Sequence, residues 1–262
     1  MTSVIDLWRA VDPEARLVSG SPDRLRAAVR SVARTRALPP HLPEPTDGLL
    51  LVMDRALLPG PRLDDLGAVL REAGLRPGAV VLAGAPADPD DVEPGGDAMP
   101  VIASTQPFAR FADAATSYLE QPERALERFA AELRLAAAEA ALAEPTIGTP
   151  AGLVAARLRR GVAVSVDSEL RSLHPRFAGR ALAARFAALH GRLLATSPGR
   201  ASTRRSREGL HLLERRVRQG ASVWLFDDLP FARIDEVAAE ALAITLRALL
   251  AGSATERHGP SN

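Results

Sequence analysis

Three short runs, Leu49-Leu50-Leu51-Val52-Met53, Ala79-Val80-Val81-Leu82-Ala83 and Val101-Ile102-Ala103, are apolar along their whole length. A strand without polar alternation has to be covered on both faces, which is how parallel sheets flanked by helices read. Nothing else in the chain constrains the fold as strongly. Between the first two runs, Leu63, Leu66, Val69 and Leu70 fall on one helical face, and Gly74 offers a left-handed stop. After the third run, Phe108, Phe111, Ala112, Ala115, Tyr118 and Leu119 form a second helical stripe. The three runs are therefore expected to pair in one parallel sheet, with helices at 62–73 and 107–119. Open α/β sheets bind ligands beyond the carboxyl ends of their strands. The residues that follow the runs are Asp54, Gly84, Ser104 and Gln106, and these are the candidate ligand-binding residues.

Residues 1–119 read as a first block. Asp6-Leu7-Trp8 opens a helical or extended segment, and Arg16-Leu17-Val18 suits an edge strand before Gly20. Leu25, Val29 and Val32 fit helical and strand spacing equally. Pro39, Pro40, Pro43 and Pro45 exclude regular structure over 38–47, and the Pro- and Asp-rich stretch 86–96 reads as an exposed loop.

Residues 120–147 form a connector. Pro122 suits a first helical turn, and Leu126, Phe129, Leu133, Ala136 and Ala140 step by three and four over 122–143. Such a stripe either packs against its copy in a homodimer or folds onto its own domain.

The second block, 148–251, mixes its elements. A helix over 150–160 leads to a strand over 162–166, and then to a helix through Phe177, Leu182, Phe186 and Leu189 that Gly191 stops. Strands are expected at 192–196, 210–217 and 222–226, with Arg218-Gln219-Gly220 turning the last pair, before a closing helix from Ile234 to Leu249. This order describes an α+β domain. The tail 252–262 has no apolar anchor and is expected to be disordered.

Composition narrows the chemistry. The 262 residues contain no cysteine, which removes disulfides, thiolate metal sites and cysteine nucleophiles. All 33 basic residues are arginine, which removes Schiff-base and phosphate-loop lysines. The histidines, His41, His174, His190, His211 and His258, never stand at metal spacing, and the acidic stretch 88–93 lacks the order of a calcium loop. No metal and no cofactor is expected. Asp227-Asp228 follows a strand, where adjacent acids point apart and cap turns. No nucleophile elbow or glycine-rich phosphate loop occurs.

Arg200, Arg204, Arg205, Arg207, Arg215, Arg216 and Arg218 are the strongest charge feature. Without interleaved aromatics or a recognition helix they read as a solvated loop over 197–206, so no specific nucleic-acid binding is expected. The N-terminus lacks the order of a secretory signal, and no run is long enough to span a bilayer, so the expected location is cytoplasmic.

Several segments, taken in order, resemble the PucR family of bacterial transcription regulators, named for purine catabolism. They are Ile5-Asp6-Leu7-Trp8, Leu17-Val18-Ser19-Gly20, Asp47–Asp54, Ala73–Val81, Met99-Pro100-Val101-Ile102 and Leu119–Leu126. The second block resembles the small-molecule-sensor, GAF-like segment of such regulators. The chain departs from the pattern at Gly48 and at Met53-Asp54-Arg55, and it shows no C-terminal helix-turn-helix. The resemblance implies a mostly parallel α/β sensor domain, a connector helix and a GAF-like α+β domain. It also implies a non-enzymatic sensory protein that binds a purine-related metabolite. As a partner, a homodimer or a separate regulator protein is expected. The competing readings are a partner-binding module without ligand, and an α/β enzyme using Asp54 and the Ser104-Thr105-Gln106 turn.

Overall fold

A computed structural model describes residues 1–36, 47–57, 63–84, 99–175, 178–195, 202–207 and 209–256. The expected loops at 38–46 and 86–96, the acidic stretch 88–93, and His41, Phe177, Arg200 and His258 lie outside them. The chain divides into two compact units, Met1–Ala125 and Leu126–Asn262. The class is mixed α/β, with one mixed and one antiparallel sheet.

The first unit opens with α1 (Val4–Val11). Ser3 caps it reciprocally, accepting from the Asp6 N–H while Asp6 accepts from the Ser3 N–H at 3.1 Å. β1 (Arg16–Ser19) follows, and a 3-10 turn over Pro22–Arg26 leads into β2 (Ser31–Thr35), which settles the ambiguous spacing of Leu25, Val29 and Val32. The three apolar runs become β3 (Leu49–Asp54), β4 (Ala79–Ala83) and β5 (Val101–Ser104). They pair in parallel as expected, β2 adds a fourth parallel strand, and β1 closes the other edge antiparallel to β5. The order is β1-β5-β4-β3-β2.

Leu51, Met53, Val80, Leu82, Val101 and Ala103 share a core with Leu66 and Leu70 of α2 (Leu63–Glu72), which ends at Gly74. Alternation along the strands turns Leu50, Val52, Val81 and Ile102 to the opposite face. There α3 (Phe108–Glu120) crosses β2 and β3 and packs on α1, burying Phe111, Ala112, Ala115 and Tyr118. Both faces of the apolar strands are thus covered.

α4 (Pro122–Ala143) is the expected connector helix. Its start belongs to the first unit, and everything from Leu126 onward belongs to the second.

The second unit holds α5 (Gly148–Leu158), β6 (Gly161–Val166), β7 (Glu169–His174), α6 (Gly179–Ala195), β8 (Ser202–Arg207), β9 (Leu210–Arg218), β10 (Ala221–Asp227) and α7 (Arg233–Glu256). Its sheet runs β7-β6-β10-β9-β8 and is antiparallel throughout. Val162, Val164, Val223, Leu225 and Leu213 meet α5 and α7 on one face, joined by Leu133 of α4. Ala163, Trp224, Phe226, Leu210 and Leu212 meet Phe186, Leu189 and Leu193 of α6 on the other.

Three expectations are corrected here, and one strand is added. Residues 192–195, expected as a strand, continue α6 straight through Gly191. Leu189 and Leu193 lie one turn apart on its buried face, and a Cβ at Gly191 would touch nothing, so this glycine sits on the open side. Residues 202–206, expected as a solvated loop, form β8, an edge strand whose arginines keep it from pairing further. β7 was not expected at all. It arises from a two-residue hairpin in which Asp167 and Ser168 both adopt positive φ (51° and 69°), the geometry of a type I′ turn. Finally, α7 runs beyond Gly252 to Glu256, so part of the expected disordered tail is helical.

Candidate functional site

The four residues expected to bind a ligand do gather at the carboxyl ends of the central strands. Asp54 ends β3 and is in register with Ala83, and Ala83 is in register with Ser104 at the end of β5. The Gly84 N–H donates to the Ser104 carbonyl at 3.0 Å, and a Cβ on Gly84 would lie 3.9 Å from Asp54 Oδ1. Two of the four side chains are already engaged with α1. Ser104 is fully buried, and its hydroxyl donates to Asp12 Oδ2 at 2.5 Å. Gln106 Nε2 donates to the Val11 carbonyl at 3.2 Å, and its N–H donates to Ser104 Oγ at 3.1 Å. These groups fasten β5 to the end of α1. Asp54 accepts from the Ala56 N–H at 3.1 Å and lies 3.8 Å from the Arg36 guanidinium.

A denser set of polar groups lies on the α6-covered face of the second sheet. Trp224 packs against α6 and stands in register with Glu214, so the Glu214 side chain shares its face. Glu214 is 4% exposed. Its Oε1 accepts from the Ser222 hydroxyl at 3.1 Å, and Arg205 Nη2 lies 3.9 Å from its Oε2. The Trp224 indole N–H donates to Ser165 Oγ at 3.1 Å. From α6 comes His190, 7% exposed, whose ring meets Trp224 edge-on with centroids 6.1 Å apart. Phe186, one turn earlier, stacks on Phe226.

Among the described residues, His190 Nε2 is buried without a hydrogen-bond partner. A buried polar atom left in that state is costly in a finished core, and each one calls for a reason. Burial holds the imidazole below its ordinary pKa, against a smaller upward pull from the Glu214 charge. The ring is therefore neutral near neutral pH and offers one donor and one acceptor. Together these groups supply a carboxylate acceptor, a neutral imidazole, hydroxyls and two aromatic surfaces. Binding sites combine such a small polar set with an apolar lining.

None of these residues entered the sequence-based site. One signal was readable: Glu214 stands in phase with Leu210 and Leu212, so an acid occupies a position that the strand pattern assigns to the interior.

The remaining polar clusters close on themselves. Asp227 does cap its turn, its Oδ1 accepting from the N–H groups of Asp228 (2.8 Å) and Leu229 (3.2 Å). The two carboxyls do not point apart as expected. They share a hydrogen bond, and partial burial together with the charge of Asp227 pushes Asp228 up to about 7. Asp227 Oδ2 also meets the buried Arg160 at 2.7 Å. On β7, Ser172 Oγ and His174 Nε2 lie 2.8 Å apart, and burial lowers the His174 pKa. The arginine cluster is dispersed across both faces of the sheet: Arg204 pairs with Glu236 of α7 at 2.8 Å, Arg205 faces Glu214, and Arg215 pairs with Glu240.

Among the described residues, no group of three or more His, Asp or Glu side chains could hold a metal ion, and no helix is long and apolar enough to cross a membrane. No family model, curated protein or solved structure matches the chain.

Proposed function

We propose that the protein is a non-enzymatic, cytoplasmic sensory protein of the PucR type, and that its second, GAF-like unit binds a small nitrogenous metabolite beneath α6. The observation that carries this reading is the buried His190 Nε2, without a hydrogen-bond partner among the described residues, near Trp224 and the Glu214 carboxylate that Ser222 donates to. A planar heterocycle with N–H groups complements this set: the carboxylate accepts, the imidazole completes its hydrogen bonding, and the aromatic rings take the flat faces. The purine-related identity rests on the resemblance alone. An antiparallel sheet with helices on both faces is in keeping with the GAF-like part of that resemblance, and the four-stranded parallel core of the first unit with its sensor part.

The test is a thermal-shift series with purines, ureides and nucleotides on the wild-type protein. A ligand that binds the folded state raises its melting temperature by mass action, by about 2.7 kcal/mol of stability at a hundredfold excess over Kd. Glu214→Gln is expected to abolish the shift, whereas Asp54→Ala and Gln106→Ala preserve it. The opposite pattern moves the site to the strand ends of the first unit. A wild-type protein that responds to none of these compounds defeats the sensor reading.

A further inference from the structure

The expected dimer stripe on α4 is used within the chain. Leu133 is 3% exposed and belongs to the core formed with α5 and α7, with Phe129 packed against it, and Leu126 is buried as well. A different face of the same helix is left open. Leu135 is 63% exposed and Leu142 85%, and they account for two of the four large hydrophobic side chains exposed among the described residues. They are seven residues apart, and exposed Ala131 and Ala138 complete the spacing 131-135-138-142, four then three then four. That is the a/d pattern of a two-stranded coiled coil. Isolated exposed leucines are ordinary on a surface, but an aligned pair with small residues between them forms a seam.

Charge selects the occupant and its direction. With Leu135 and Leu142 at a and Ala131 and Ala138 at d, Arg134 takes g and Glu132 and Glu139 take e. In a parallel pair of identical helices, g of one strand faces e of the next heptad in the other, so Arg134 meets Glu139 of the second copy, twice by symmetry. In an antiparallel pair the e positions face each other, which brings Glu132 against Glu139. Glu127 and Glu132 would face each other one heptad earlier in the parallel pair, and both are acidic, so the favourable seam is confined to the last three turns. We infer that two copies of this chain associate in parallel through the Ala131–Leu142 face of α4, with Arg134 of one copy opposite Glu139 of the other.

The absence of cysteine makes the test direct, because a single introduced thiol is the only one present. The wild-type full chain is expected to sediment as a dimer. Leu142→Cys should give a covalent dimer under mild oxidation, since facing a-position residues of a parallel seam lie within disulfide reach. Leu135→Asp combined with Leu142→Asp should give a monomer with unchanged helical signal, because both side chains are exposed, and with a melting temperature that no longer rises with protein concentration. Arg134→Glu should weaken the dimer severalfold at low salt, and adding Glu139→Arg should restore it. A wild-type chain that stays monomeric at every concentration overturns the inference. So does a dimer in which Leu142→Cys fails to cross-link while the pair Ala131→Cys and Leu142→Cys succeeds, or one that survives both aspartates.

Discussion

Arg160 and Asp235 meet with no solvent exposure, the guanidinium Nη2 3.1 Å and Nε 3.3 Å from the two carboxylate oxygens. Arg160 also donates to the Pro230 carbonyl at 2.8 Å, pairs with Asp227, and lies over the Phe231 ring. Asp235 in turn accepts from the Ala232 N–H at 2.7 Å, at the start of α7. The cluster fixes the passage from β10 into α7. Burial opposes the charge on Arg160, but Asp235 and Asp227 outweigh it and hold the guanidinium protonated.

Removing one partner of this cluster strands the other. Asp235→Ala leaves a buried guanidinium short of an anion and also removes an acceptor from the first turn of α7. We expect a loss of about 3–5 kcal/mol, the range for breaking a buried pair, read as the change in unfolding free energy by chemical denaturation. A loss below about 1 kcal/mol, the level of an exposed ion pair, would show that the cluster is not holding the turn.

Asp228 gives a pH-dependent prediction of definite sign. Its folded pKa lies above its ordinary value, at about 7, so the folded state holds a proton that the unfolded chain has released. The associated stability is fully present only below about 4, the ordinary carboxylate value, and is lost as pH rises from there through about 7. Asp228→Asn removes the charge that comes to face Asp227. The variant should therefore gain more in melting temperature over wild type at pH 8 than at pH 5. An equal difference at both pH values would contradict the assignment.

The buried histidine works in the other direction. The His190 pKa is lowered in the fold, so below about 6.5 the unfolded chain takes up a proton that the folded protein refuses. Stability is lost as pH falls from 7 toward 5, with a slope of at most about 1.4 kcal/mol per pH unit from this group. His174, also lowered, adds to the same slope. His190→Gln should flatten the dependence over that window whatever it does to the absolute stability, as measured by denaturant titration at each pH. An unchanged slope would remove His190 as its source.

Gly161 tests the packing under α6. A Cβ there would fall 2.3 Å from Cε2 of Phe226, whose ring stacks on Phe186 with centroids 4.7 Å apart and planes 9° from parallel. Gly161→Ala must displace that ring, which should cost about 1–3 kcal/mol, as overpacking does. Phe226→Leu in the same chain should recover part of the loss, giving a non-additive double-mutant cycle. Additive effects would mean that the two residues do not press on each other.

The elements legible in the sequence are those whose burial or propensity leaves its mark on a continuous stretch of chain. β3, β4 and β5 announce themselves because a strand covered on both faces has to be apolar at every position. α4 does so because Ala, Glu and Arg favour a helix wherever it packs. The convergence of Asp54, Gly84 and Ser104 also follows from strand direction alone. What their side chains do was decided elsewhere. Ser104 meets Asp12 across 92 positions of sequence, and only the docking of α1 against β5 brings the two together.

β7 and β8 are silent in the sequence because Glu169–His174 and Ser202–Arg207 carry little apolar signal. Their stability comes from backbone ladders to β6 and β9, which any sequence can form once a neighbouring strand exists. The polar set beneath α6 is the furthest from legibility, since Glu214, Ser222 and His190 come from β9, β10 and α6 and become neighbours only after the sheet has paired and the helix has covered it. The sequence by itself determined which segments had to be buried. The tertiary structure decided which polar groups were buried with them, because desolvation and hydrogen bonding act on neighbours in space, whatever their separation along the chain.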